Sequence, residues 1–198
     1  RTKSAKAFEK RIEFQLQKLG FRHSKFEVRI DKQEHAKGLV SIDGKNYDCD
    51  EKGYDQVEFY IRTNPGEPMR PLVDIVSGGE VSRIMLAMKS IMAAGDKIPV
   101  LVFDEIDTGV SGQIARIVGE EMLNLAENHQ ILCITHLPQI ASLGNNHLSV
   151  RKKIINERSV TYIENLKFED RVDEIAQLIG GKKVTESGLN QARELLNI

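Results

Sequence analysis

The sequence predicts an α/β protein with a mostly parallel sheet, together with an N-terminal helix and a small antiparallel β region. Residues 1–20 repeat apolar residues every three or four positions, as a helix does, and residues 21–70 alternate apolar with polar residues, as strands do. Residues 71–198 place helices between short apolar strands, which is typical of a parallel sheet in an α/β layer. We therefore divide the chain into these three segments.

The composition is that of an ordinary folded protein. Of 198 residues, 40% are hydrophobic and 29% are charged, and the formal net charge is −1. This balance excludes a disordered chain and a pervasively basic DNA-binding domain, and no apolar stretch approaches the ~18 residues of a membrane span. The two cysteines, Cys49 and Cys133, lie far apart and favour free thiols in a reducing cytosol. The chain opens on Arg1 without Met, and we expect it to be a piece of a longer protein.

The predicted N-terminal helix has a narrow apolar seam. Its members share one helical face and are Ala5, Phe8, Ile12, Leu16 and Leu19. Gly20 follows and is suited to end the helix. The seam fits either packing on a lobe or the root of a coiled coil. A coiled-coil assignment needs ~3–4 heptads, so both interpretations stay open.

The antiparallel region is predicted from alternation and from turn residues. Apolar residues alternate with charged ones in residues 26–30 and again in residues 57–61. Between these runs, Asp43-Gly44 is a strong signal for a tight turn. The proline- and glycine-rich residues 65–68 then end the region.

The last segment alternates helices with strands. The predicted helices are residues 78–94, 113–127, 171–179 and 185–196, and the predicted strands are residues 100–103, 131–134, 148–154 and 160–166. The first two strands are continuously apolar, so we expect them to be parallel and buried on both faces. The last two alternate and indicate an edge hairpin.

The first candidate site is the start of the helix at residue 78. Ser77, Gly78, Gly79 and Glu80 form a capping-box pattern, which makes a well-capped helix one interpretation. The other interpretation is an anion site. The glycines would let a phosphate approach the exposed amides, where the helix dipole adds positive potential.

The second candidate site is a pair of acids at the end of the first apolar strand. Asp104 and Glu105 follow residues 100–103 directly, and the carboxyl end of a parallel strand is where α/β sheets bind ligands. A magnesium ion prefers carboxylate oxygens, and a neighbouring carboxylate can polarise an attacking water. Alternatively, the two acids only cap the next helix or loop. The loop itself runs from Asp107 to Gly112.

The third candidate site is Thr135-His136, at the end of the next apolar strand. A parallel sheet would bring this pair to the same edge as Asp104 and Glu105. A histidine there can donate to a phosphate oxygen or orient a water, although a lone histidine is more often structural. The interval between each candidate site and the next suits one helix and one strand.

In this order, the motifs resemble the C-terminal half of the head domain of an ABC-type P-loop ATPase. Within that superfamily they are most similar to the RecN family of bacterial, SMC-like DNA-repair proteins. The resemblance lies in residues 76–83, 102–112 and 134–141, and the tail from Asp173 to Leu195 also fits. It implies a P-loop NTPase fold and makes residues 1–20 the end of a coiled-coil arm.

The resemblance also implies roles for the candidate residues. Residues 77–80 would be the signature motif, which contacts the γ-phosphate of ATP held by the opposing head of a dimer. Asp104 would be the Walker B acid that holds Mg²⁺, and Glu105 the general base. Asp107 would begin the D-loop, which communicates across the dimer, and His136 would be the switch histidine.

One departure from the ABC pattern concerns the phosphate-binding loop. No Gly-x-x-x-x-Gly-Lys-Ser/Thr sequence occurs in the chain, and no Q-loop glutamine can be assigned. The resemblance places both in the N-terminal half of the same protein. That half, a second head on ATP binding, and DNA bound through the full protein are the partners it implies, in the cytoplasm at the nucleoid and without a membrane. We expect this chain alone neither to bind ATP tightly nor to hydrolyse it.

Two other functions are weighed against this one. A transporter nucleotide-binding domain is disfavoured by the charged N-terminal helix and by the loop at residues 106–108. A non-catalytic interaction module is favoured by the missing phosphate loop, but it gives no reason to keep Asp104, Glu105 and His136 together. The basic run at residues 151–153 and the basic residues among the first eleven are either solvated or in contact with DNA phosphates.

Overall fold

The structure is a computed structural model, and it describes residues 1–155, 157–181 and 183–198. The contacts of the chain divide it into two compact units, residues 1–77 and residues 78–198. The three-part division of the sequence stays a prediction.

The first unit is a helix with antiparallel strands. Its elements are α1 (Thr2–Lys18), β1 (Lys25–Lys32), β2 (Val40–Ile42), β3 (Lys45–Tyr47), β4 (Asp55–Arg62) and β5 (Arg70–Pro71). One sheet has the order β1-β4-β5, and β2 and β3 form a separate hairpin. Asp43 and Gly44 connect the hairpin with φ angles of 52° and 79°, as the tight turn predicted there requires.

Helix α1 covers the edge of β1 with two carboxylates. The backbone amide of Val28 donates to Glu9 Oε1 at 2.9 Å, and that of Phe26 donates to Glu13 Oε1 at 3.1 Å. Residues four apart on a helix rise about 6 Å, which nearly matches two residues of a strand. The helix therefore satisfies amides that an edge strand would otherwise leave open to another strand.

The core of this unit lies between α1 and the sheet. Ile12 and Leu16 are fully buried. The rings of Phe8, Phe26 and Phe59 form a cluster with centroids 5.5–6.0 Å apart. The apolar seam of α1 thus packs on its own lobe, and a coiled coil beyond α1 stays a prediction.

The second unit contains the α/β part of the chain. Its elements are α2 (Gly78–Met92), β6 (Val100–Phe103), α3 (Gly112–Ala126), β7 (Gln130–Cys133), α4 (Pro138–Ala141), β8 (Leu148–Ile155), β9 (Arg158–Asn165), α5 (Phe168–Gly180) and α6 (Glu186–Leu196). Strands β6 and β7 are parallel, and Phe103 lies opposite Cys133. Strands β8 and β9 form the predicted antiparallel hairpin. The α/β prediction is therefore confirmed, and the short helix α4 is an addition to it.

The prediction that β6 and β7 are buried on both faces is wrong. Leu101 and Phe103 are buried, but Val102 is 64% exposed and Leu132 is 44% exposed. A parallel strand is buried on both sides only when both faces of its sheet are covered. Helix α3 joins the two strands and packs against β7. Val102 and Leu132, which are paired in the register, stay exposed in the part of the chain that the structure describes.

The unit ends in a small helical core. Val172, Ile175 and Ala176 of α5 pack against Ala192 of α6. Gly181 ends α5 with a φ of 77°, a conformation that favours glycine. Among the described residues, no helix combines the length and apolar character that crossing a membrane would take.

The contact of α1 with the β1 edge makes a prediction about stability. Burial acts to raise the pKa of the Glu9 carboxyl, but the Val28 amide and the Lys6 ammonium outweigh burial and hold the pKa below its ordinary value of 4.5. Replacing Glu9 by Ala leaves the Val28 amide without this acceptor. The free energy of unfolding in urea should fall by about 1–2 kcal/mol at pH 7.

The pH dependence gives the control for this prediction. Because the pKa is lowered in the folded state, the stabilisation is present above the ordinary value and is lost as the pH falls through the lowered one. The difference between the wild type and Glu9→Ala should therefore shrink in acid. Gln17→Ala, at an exposed position of the same helix, should leave the free energy of unfolding close to that of the wild type both at pH 7 and in acid. A pH-independent cost of Glu9→Ala would contradict this account.

Candidate functional site

The carboxyl ends of β6 and β7 meet at one edge of the sheet. Asp104 and Glu105 leave β6 there, and the Ile134 amide donates to the Phe103 carbonyl at 2.9 Å, which extends the pairing beyond β7. His136 follows two residues later. The structure therefore brings the predicted acid pair and the predicted histidine to the same edge.

A buried carboxylate ties the two strand ends together. The Asp107 side chain is only 4% exposed, and its Oδ2 accepts from Thr135 Oγ1 at 2.6 Å and from the His136 amide at 2.9 Å. His136 Nδ1 lies 3.0 Å from the same oxygen, while the imidazole itself is 74% exposed. Asp107 thus fixes one side of the ring and leaves the rest of the ring open to a ligand.

Glu105 has a strained backbone. Its φ is 54°, in the left-handed region that few residues other than glycine adopt, and such strain costs about 1–3 kcal/mol. Its amide donates to Asp104 Oδ1 at 2.9 Å, and its carbonyl accepts from the Thr108 amide at 3.0 Å. The Glu105 carboxylate lies against Gly78, where a Cβ would collide with Oε2. The general base predicted from the sequence therefore lies beside the first residue of α2.

Helix α2 holds the same loop from the other side. Ser82 Oγ donates to the Asp104 carbonyl at 2.6 Å. Arg83 Nη1 donates to the Thr108 carbonyl at 2.8 Å and to the Ile106 carbonyl at 3.3 Å. Burial lowers the pKa of the Arg83 guanidinium, whose side chain is almost fully enclosed. The buried guanidinium is therefore stabilised by hydrogen bonds to backbone carbonyls of the loop that follows β6.

The two glycines of α2 have different surroundings. Gly78 is exposed, as an amide that faces an anion must be, whereas Gly79 is buried. A Cβ on Gly79 would lie 2.9 Å from both the Glu105 carbonyl and Thr108 Cβ. The sequence suggested that both glycines admit an anion. The structure gives Gly79 another reason to be glycine, the close approach of the 105–108 loop.

A metal ion at this edge would depend on carboxylate ligands. Burial raises the pKa of the Cys133 thiol to about 12, and Asp107 and Asp104 add to the effect, so this thiol is a poor metal ligand. Among the residues that the structure describes, no three His, Cys, Asp or Glu side chains converge on a metal position. Asp104 is exposed at the strand end. One carboxylate suits Mg²⁺, which usually keeps several of its waters.

Comparison with known proteins decides the family. No family model matches the chain. The chain is 42% identical to the DNA repair protein RecN of Halalkalibacterium halodurans over 187 residues, and this alignment covers 94% of the chain. The chain is 37% identical to the DNA repair protein RecN of Vibrio cholerae over 197 residues, an alignment that covers 99% of the chain. The chain belongs to the RecN family. It spans about a third of the length of these relatives, 32% and 33%.

Solved structures agree on the fold. The Smc head domain with a coiled coil and joint from Pyrococcus yayanosii matches 92% of this chain and 30% of its own, with a TM-score of 0.58 and 16% identity. The SmcHead bound to the C-winged helix domain of ScpA matches 87% of this chain and 46% of its own, with a TM-score of 0.52 and 16% identity. The predicted fold of an SMC-like ATPase head is therefore confirmed for this RecN-family chain.

Two residues at this edge, Ser82 and Arg83, were given no role from the sequence, and Thr135 was named only together with His136. A signal for Arg83 did exist, because this residue lies on the buried face of α2 with Gly79 and Ala87, four residues to either side. A charged residue on the apolar face of a helix needs a specific partner. The identity of that partner, a pair of loop carbonyls, depends on the tertiary fold.

The packing of Gly79 predicts a specific loss of stability. In Gly79→Ala, the new methyl group must displace the 105–108 loop, and the free energy of unfolding should fall by about 1–3 kcal/mol. Gly180→Ala is the matched control, because a Cβ at Gly180 meets no atom within 4 Å. Chemical denaturation of both variants measures the difference. Equal stability of the two variants would show that α2 and the loop are not in close contact.

Proposed function

We propose that this chain is the C-terminal half of an SMC-like ABC ATPase head that acts in DNA double-strand-break repair and recombination. The single observation that supports it most is the sheet edge shared by Asp104, Glu105 and His136. Membership of the RecN family and the fold of an SMC head support the same proposal. The chain supplies the signature motif, the Walker B acid, the D-loop and the switch histidine. The rest of the protein supplies the Walker A loop.

The reaction is hydrolysis of the terminal phosphoanhydride of ATP. Asp104 would hold Mg²⁺ through its exposed carboxylate, and the ion would neutralise charge on the phosphates. Glu105 accepts a proton from the attacking water, whose oxygen forms a bond to the γ-phosphorus as the bond from that phosphorus to the bridging oxygen breaks. His136 donates to an oxygen of the transferred group. Asp107 keeps its imidazole in position.

The composite site explains why two heads are needed. Ser77, Gly78 and Glu80 lie at or beside the start of α2, where amides and the helix dipole attract an anion. In the proposed dimer, this exposed end of the helix contacts the γ-phosphate of ATP bound to the opposing head, while the buried Gly79 lets the helix lie against the 105–108 loop. ATP binding thereby joins two heads, and hydrolysis releases them. Association with DNA is then regulated in the full protein.

A non-catalytic interaction module is the second candidate, and the Glu105 backbone weighs against it. Backbone strain in a folded protein is concentrated at functional sites. Glu105 adopts its positive φ next to a buried carboxylate and a buried guanidinium. A surface that only docks a partner has no use for this arrangement, whereas a base held at a fixed position does.

The proposed base makes a direct prediction. In the full-length protein, Glu105→Gln should lower kcat for ATP about 100-fold or more, because the amide cannot accept the proton. Binding of ATP should persist, and ATP-bound dimers should accumulate in size-exclusion chromatography. Glu120→Gln is the control, since Glu120 is exposed on α3 and paired with Arg116. An unchanged kcat in Glu105→Gln would remove Glu105 from this role.

The incomplete site makes a second prediction. The purified chain alone should show no ATP turnover above background, because the phosphate-binding loop lies outside it. Mixing it with the remaining part of the protein, which carries that loop, should restore turnover. Turnover by the chain alone would contradict the assignment of a half-site. A reconstituted mixture that binds ATP without hydrolysing it would favour the interaction module.

A further inference from the structure

One face of helix α2 is fastened to the loop that follows β6. The face consists of Gly79, Ser82 and Arg83, which are spaced so that they project together from the helix. Gly79 permits the close approach, Ser82 binds the carbonyl of Asp104, and Arg83 binds two further carbonyls of the loop. The carbonyls of residues 104, 106 and 108 are thus attached to a single helix.

Arginine suits this attachment better than lysine does. One terminal nitrogen of the guanidinium, Nη1, donates to both the Ile106 and the Thr108 carbonyl and so bridges them. A lysine would bring a shorter side chain and a more strongly hydrated ammonium, which is costlier to bury beside these carbonyls. Arg83 is also 7% exposed, so its hydrogen bonds form in a medium of low dielectric constant, where they hold the loop more firmly than they would in water.

The same loop is attached to the end of β7 by Asp107. Its carboxylate binds Thr135 and His136, as described above. Two sets of hydrogen bonds, joined by the backbone of the loop, therefore connect α2 with the imidazole of His136. Glu105, with its positive φ, lies within that loop, between the carbonyl held by Ser82 and the carbonyl held by Arg83.

We propose that Arg83 is a positioning residue. Through Arg83, the position of helix α2 determines the position of Glu105 and His136 in the same head. The inference rests on the proposed function, in which the start of α2 contacts ATP on the opposing head. Through Arg83 and Ser82, a ligand at α2 fixes the loop that carries Glu105 and orients His136. Each head thus takes part in two ATP sites: its helix α2 contacts the ATP of the opposing head, and its Glu105 and His136 act on its own ATP. Arg83 couples the first site to the second.

The test uses the full-length protein with the variant Arg83→Lys, which keeps the charge but shortens the side chain and changes the position of its donors. We expect kcat for ATP to fall at least about tenfold, because a catalytic group displaced by a fraction of an ångström loses much of its effect. The KM for ATP should change less than about threefold, because the phosphate-binding loop is untouched. Arg116→Lys, at an exposed arginine of α3, is the matched control and should leave both constants unchanged.

A second variant covers the case in which Arg83→Lys does not fold. Ser82→Ala removes one hydroxyl and should lower kcat severalfold while the melting temperature stays near that of the wild type. Hydrogen exchange of the amides at residues 105–109 gives a readout that does not depend on turnover. ATP should slow this exchange in the wild type, and should slow it less in either variant.

The outcomes separate this inference from the proposed function. If the wild-type protein does not hydrolyse ATP, the proposed function fails. If the wild type is active and both variants retain its kcat, the coupling through Arg83 is wrong while the ATPase stands. If Arg83→Lys is unfolded, the kcat of Ser82→Ala decides. A kcat equal to that of the wild type then overturns the inference.

Discussion

The site depends first on the parallel pairing of β6 with β7. Because the two strands run in the same direction, the residues that follow Phe103 and Cys133 emerge at one edge of the sheet. An antiparallel pairing would send Glu105 and His136 to opposite edges of the sheet. The two side chains could then not contact the same phosphate. The crossover helix α3 makes the parallel arrangement possible, since parallel strands need a long connection.

Two buried charged groups then give the edge its geometry. Asp107 binds the start of the segment after β7, and Arg83 binds the loop after β6, each through backbone groups. Burying a charge is costly unless its hydrogen bonds are made, so each group favours one arrangement of the loop over others. The strain at Glu105 is sustained by this surrounding network. The proposed function would need such a network, because it requires a base held in a precise position beside a phosphate.

Much of this organisation could be predicted from the sequence, because it is encoded locally. The periodicity around Ile84, the apolar run ending at Phe103 and the turn at Asp43-Gly44 gave the helix, the strand and the turn that the structure contains. Burial of both sheet faces was predicted wrongly, since it depends on what covers Val102. The contacts of Arg83 with the loop and of Glu9 with β1 join residues distant along the chain, and no local pattern specifies them.

The most direct measurement is a structure of the full-length protein with Mg²⁺ and a non-hydrolysable ATP analogue. The account predicts that Glu105 and His136 of one head contact the terminal phosphate of a single nucleotide, and that Ser77 and Gly78 of that head contact the nucleotide of the other. It would be contradicted if Glu105 and His136 approached different nucleotides, or if the start of α2 contacted the nucleotide of its own head.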